Sequence, residues 1–173
     1  MCRRIFRDTD KDRDRGPPGV RRARAGMGRQ AHAVSDKKEG DMDKEIIEIP
    51  GLSDAIRKVG VPLSICVKAG DLLFVSGLPP LDPAAGKMVQ GGVAEQTEQV
   101  LKNIQHTLET AGSSLDRVVK CTVYITNAAY FSTVNEIYGR YFPNDPPART
   151  FATVGSWPWE FDIEIECTAL CDE

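Results

Sequence analysis

Apolar and polar residues alternate near the end of the chain. Phe161, Ile163, Ile165 and Cys167 would share one face of a strand, and Asp162, Glu164, Glu166 and Thr168 the other. Pro147 to Val154 alternates in the same way, and a turn around Gly155 and Pro158 would pair the two strands as neighbours. That pairing would bring Arg149 and Glu164 close together on one sheet. Upstream, Ile46–Ile49, Leu63–Ala69, Leu72–Ser76 and Val118–Ile125 read as further strands, with Gly70-Asp71 suited to a tight hairpin. Between 78 and 92 the chain is rich in Pro and Gly and reads as a loop.

The period changes from two to 3.6 at Val93. Val93, Thr97, Val100, Leu101, Ile104 and Leu108 form one stripe of a helix running to about Ala111, which Gly112 would stop in a left-handed conformation. Asn127 can cap a second helix to about Phe142, with Phe131, Val134, Tyr138 and Tyr141 as its apolar stripe. The predicted order is β-β-β-α-β-α-β-β, an α+β fold with two helices on one face of a mixed sheet. The other face is left uncovered, and a sheet of that size usually buries such a face by oligomerising.

Composition divides the chain at about Met42. The first 41 residues hold 12 Lys/Arg and 7 Asp/Glu, a net +5, while the remainder holds 10 and 18, a net −8. The first segment, with Arg3-Arg4, Asp10-Lys11-Asp12-Arg13-Asp14-Arg15 and Arg21-Arg22-Ala23-Arg24, has almost no apolar pattern. A targeting peptide and a nucleic-acid-binding arm both suit its arginines, but its acidic residues weaken both readings. The third reading is disordered sequence upstream of a start at Met27 or Met42. Residues 42–173 then form the folded domain. No run approaches the roughly 18 to 20 apolar residues of a membrane span. Three of the five cysteines, Cys66, Cys121 and Cys167, fall in β-like runs, where free thiols act as small buried hydrophobes. A cytoplasmic location with reduced thiols is the expectation.

The chemistry available is narrow. Of the two histidines, His32 is in the charged segment and His106 is on the polar side of the first helix, so a Ser-His-Asp triad lacks its base. Cys167 and Cys171 do not have the spacing of zinc ligand pairs, and no phosphate-cradling glycine loop is present. No metal or other cofactor is expected. Arg149 and Glu164 remain, read from periodicity alone either as a site or as a surface salt bridge.

Several motifs agree in order. Pro147-Ala148-Arg149 leads into an apolar-rich strand, a proline turn and Ile163-Glu164-Ile165-Glu166. Phe74-Val75-Ser76-Gly77-Leu78-Pro79, the stretch from Gln96 to Gly112, Lys120–Ile125 and Val134–Tyr138 complete the set. Over about residues 44–170 the chain resembles the YjgF family, the Rid (reactive intermediate deaminase) proteins. That resemblance implies a chorismate-mutase-like fold, a homotrimer, and sites in clefts between subunits that hydrolyse enamines or imines of small 2-keto acids. It places Arg149 as the clamp on the substrate carboxylate and Glu164 as the holder of the attacking water. Ser76 falls near the substrate, and Asn135 matches a pocket-lining position. Leu63 and Phe151 stand where the best-studied deaminases carry a Tyr and a Cys. Those two departures leave open a non-catalytic trimeric binder of small carboxylates. A nucleic-acid role, also ascribed to the family, suits only the basic segment. Trp157 and Trp159, in the turn Ser156-Trp157-Pro158-Trp159, line either the cleft or a partner surface, or pack within the loop.

Overall fold

The computed structural model describes residues 43–171. The charged segment 1–41, expected to be disordered, lies outside the described residues. Strand β1 (Lys44–Ile47) is followed by helix α1 (Leu52–Val59), then β2 (Cys66–Ala69) and β3 (Leu72–Leu78). A two-stranded ribbon, β4 (Leu81–Asp82) and β5 (Lys87–Met88), precedes α2 (Val93–Thr110). The chain continues through β6 (Val118–Ile125), α3 (Phe131–Tyr141), β7 (Ala148–Thr153) and β8 (Ile163–Leu170).

The two long helices form where the period of 3.6 placed them. Gly112 takes φ +75° just after α2, and the Asn127 side chain accepts a hydrogen bond from the Ala129 amide at the start of the short 3₁₀ turn that leads into α3. Gly70, at φ +57°, makes the turn between β2 and β3, which pair antiparallel with Ala69 opposite Leu72. Val100, Leu101, Ile104 and Leu108 of α2 are fully buried, packed with Leu73, Val123, Ile163 and Ile165 from the sheet in one hydrophobic core.

Four expectations change. A third helix, α1, follows β1, with Leu52 buried in the core and Gly60 closing it at φ +72°. The loop after β3 carries the β4–β5 ribbon, held to α2 by the buried Asn103 amide, which donates to the Leu81 carbonyl at 2.8 Å and to that of Pro79 at 3.2 Å. Phe131 leaves the apolar stripe of α3 and is 47% exposed. Finally, β7 and β8 are not neighbours. The six-stranded sheet has the order β1-β2-β3-β8-β6-β7, so β6 lies between them, antiparallel to β8 and parallel to β7. The cause is the connection through α3, which returns β7 in the direction of β6 along its outer edge.

Candidate active site

The register decides which side chains can meet. Arg149 lies beside Cys121 in the β6–β7 pair, and Cys121 faces Cys167 across β6–β8. These three share the helix-covered face. Glu164 is three residues from Cys167 on the same strand and therefore projects from the opposite face, beside Tyr124. The expected closeness of Arg149 and Glu164 does not occur within one chain. A surface salt bridge between them is excluded for the same reason.

Two groups of residues result. The first sits where β7 meets α3. The Arg149 guanidinium carbon lies 4.6 Å from the centre of the Tyr138 ring and 5.5 Å from that of Phe151. Among the described residues, no carboxylate forms an ion pair with Arg149. Asn135, Tyr138, Gly139, Phe142, Pro146 and Pro147 join Arg149 around an open concavity of about 350 Å³. The Asn135 Oδ1 is buried there without a hydrogen-bond donor. A buried acceptor left unpaired is costly, and an N–H of a bound molecule would satisfy it. The Tyr138 hydroxyl is also buried without a hydrogen-bond partner, and burial raises both it and the nearby Cys121 thiol above their ordinary values.

The second group lies on the other face. Between Val75 and Leu78 the β3–β8 register shifts, so Ser76 and Gly77 form a bulge opposite β8. The Ser76 hydroxyl donates to the Ser64 carbonyl at 2.7 Å and its amide to the Ile65 carbonyl at 3.0 Å, tying down the segment that carries Leu63. Leu63 itself lies outside β2 and is 41% exposed. The Glu164 carboxyl rests against the bare Cα of Gly77: a Cβ there would come within 2.1 Å of Oε1. Burial, and then the charge of Glu166, push the Glu164 carboxyl up to about 6. Glu166 accepts from the Tyr124 hydroxyl at 3.2 Å, and Trp157 packs edge-on to Tyr124 and stacks on Phe161.

Of the expected site residues, Arg149, Phe151 and Asn135 therefore gather in one group and Glu164, Ser76 and the segment of Leu63 in the other. Sequence reasoning missed Tyr138 and Gly77 as site residues. Tyr138 is three residues beyond Asn135, one helical turn along the same side of α3. Gly77 was visible only as part of a turn.

The family model described as Endoribonuclease L-PSP matches residues 54–171. The chain belongs to the YjgF/Rid family. Among its relatives is the chloroplastic Reactive Intermediate Deaminase A of Arabidopsis thaliana, 46% identical over 62% of this chain and 58% of that protein. A human 2-iminobutanoate/2-iminopropanoate deaminase is 41% identical over 63% of this chain and 80% of its own. The crystal structure of E. coli TdcF with bound serine superposes with a TM-score of 0.61 at 31% identity, covering 64% of this chain and 89% of that one. In this Rid-family chain, no helix among the described residues is long and apolar enough to cross a membrane.

Proposed function

We propose that the protein hydrolyses small 2-imino and 2-enamino carboxylates to 2-keto acids and ammonia, at sites completed between the subunits of a homotrimer. One observation carries this reading. An arginine with no carboxylate partner among the described residues stands beside a buried, unpaired amide oxygen, while a carboxyl raised to about 6 projects from the opposite face of the same sheet. A second copy would supply what each half lacks. The deaminase names of the Arabidopsis and human relatives agree with the chemistry, and the serine bound to TdcF agrees with a ligand that carries a carboxylate.

Arg149 offers two parallel N–H groups to the substrate carboxylate, fixing its plane as well as its charge. Asn135 Oδ1 accepts from the imine N–H. Glu164, ionised, takes a proton from water as the water oxygen bonds to the imine carbon, and the C=N electron pair moves to nitrogen. The same carboxyl then returns that proton to nitrogen, takes the remaining proton from the new hydroxyl and passes it to nitrogen as well. Ammonia leaves as the C–N bond breaks and the carbonyl forms. Imine carbons are already electrophilic, so positioning and one general base meet the demand.

The acid limb of the pH profile follows from Glu164. As the pH falls below about 6 the carboxyl gains a proton and the base is lost, so kcat/KM is expected to fall about tenfold per pH unit there. Replacing Glu166 by Gln removes a neighbouring negative charge that favours the protonated form, and the limb should move to lower pH. A limb unmoved by Glu166→Gln would remove Glu164 as its origin.

The trimeric site has its own test. Arg149→Ala and Glu164→Gln chains, each strongly impaired alone, are unfolded, mixed in equal amounts and refolded together. Random assembly gives about a quarter of the sites one intact Arg149 and one intact Glu164 from adjacent copies. Recovery near that fraction of wild-type activity is expected, and no recovery would sink the shared site. Binding of 2-keto acids with no turnover of any imine would indicate a binder instead. RNA is a poor ligand for the described face: Asp162, Glu164 and Glu166 stand in a row on it, and residues 42–173 carry a net −8.

A further inference from the structure

The surroundings of Arg149 contain more aromatic surface than a two- or three-carbon substrate needs. Phe151 is two residues from Arg149 on the same face of β7, and its ring centre is 5.5 Å from the guanidinium carbon. Tyr138 approaches to 4.6 Å. Behind Phe151 stands Phe131, from the first turn of α3, with ring centres 4.8 Å apart and planes at 73°. Phe131 is 47% exposed, and Phe151 packs against the core on one side but is only partly buried, so part of each ring is left free. An edge-to-face aromatic pair at an open rim presents ring faces and edges on which a third ring can pack in the same geometry. The second group adds Leu63, another exposed apolar side chain, 41% accessible.

We propose that this site selects imino or enamino carboxylates with an aromatic side chain over those of two to four carbons, with Phe151 and Phe131 as the specificity-determining residues. The inference rests on the deaminase reading above. The substrate carboxylate lies on Arg149, and its ring lies against the Phe151–Phe131 pair. Phe151 contacts both the guanidinium and the substrate ring, while Phe131 acts through Phe151 by holding its orientation. Tyr138 is set aside from discrimination, because it is 5% exposed and its hydroxyl is buried in the interior.

The test compares imino acids generated in situ from phenylalanine and from alanine by an amino-acid oxidase, for the wild type, Phe151→Ala and Phe131→Ala. The wild type is expected to favour the aromatic imine in kcat/KM by about tenfold or more, the scale of discrimination that one apolar contact surface supplies. Phe151→Ala should bring the ratio near one by raising KM for the aromatic imine far more than for the small one, with the mass of the assembly unchanged. Phe131→Ala should lower the ratio by a smaller factor. Three results would overturn the proposal: a wild type that prefers the alanine-derived imine, a ratio indifferent to both substitutions, or variants that lose their assembly while keeping the ratio. If no imine is turned over, the deaminase reading fails separately, and binding decides this inference. Tighter binding of phenylpyruvate than of pyruvate, lost in Phe151→Ala, supports it; equal binding of the two overturns it.

Discussion

Arg149→Ala should lower kcat/KM for an imino acid by about 30- to 1,000-fold, the equivalent of about 2–4 kcal/mol of transition-state stabilisation lost with a charged hydrogen-bond partner. Among the described residues no other cation lines the concavity where Arg149 stands. The fold should tolerate the change. The side chain is only partly buried and has no ion pair among the described residues, so its removal strands no buried charge. Thermal unfolding should therefore shift little while activity collapses. Arg149→Lys sharpens the result: it keeps the charge but not the planar fork, and should restore only part of the loss. An Arg149→Ala protein as active as wild type would remove the residue from any role in the reaction.

Gly77→Ala is the second large effect, although it replaces no charged group. A Cβ at residue 77 would meet Glu164 Oε1 at 2.1 Å, Cδ at 2.7 Å and Cγ at 3.1 Å. The Glu164 side chain must move, and a catalytic group misplaced by about 1 Å can cost about 100-fold in rate. Gly155→Ala is the matched control, since nothing lies within 4 Å of its Cβ position. Single-turnover kinetics should show the loss in the chemical step of Gly77→Ala and none in Gly155→Ala. Unchanged chemistry in Gly77→Ala would mean that the position of Glu164 does not matter.

Local signals read well in this chain. The alternation of β8, the stripe of α2 and the hairpin at Gly70 each depend on residues close in sequence, and each stands in the structure, while Asn127 caps the 3₁₀ turn ahead of α3 and not α3 itself. Helix α1 was also within reach: Leu52, Ala55, Ile56 and Val59 fall at helical spacing and Gly60 follows, but eight residues make a weak signal between two loops. The pairing of β7 with β6 was not legible, because alternation assigns a face to each residue of a strand but does not name the neighbouring strand. The relation of Arg149 to Glu164 failed for that reason. Their faces could be compared only through the register of β6, whose residues lie on the far side of α3 in sequence. The resemblance to a family supplied the expectation of sites between subunits, which separate faces within one chain make intelligible. Gly77 escaped because its meaning depends on a carboxyl 87 positions away, brought against it by the β3–β8 pairing and its bulge.

The place of β7 at the end of the sheet has one more consequence. Its outer edge has no strand partner among the described residues, and such an edge invites pairing with any other extended chain. Pro146 and Pro147 lead directly into it, and Arg149 follows within two residues. Prolines and a long cation are the features that discourage strand addition and amyloid-like growth. An apolar residue in place of Arg149 would therefore remove a safeguard against aggregation together with the cation that the proposed reaction uses.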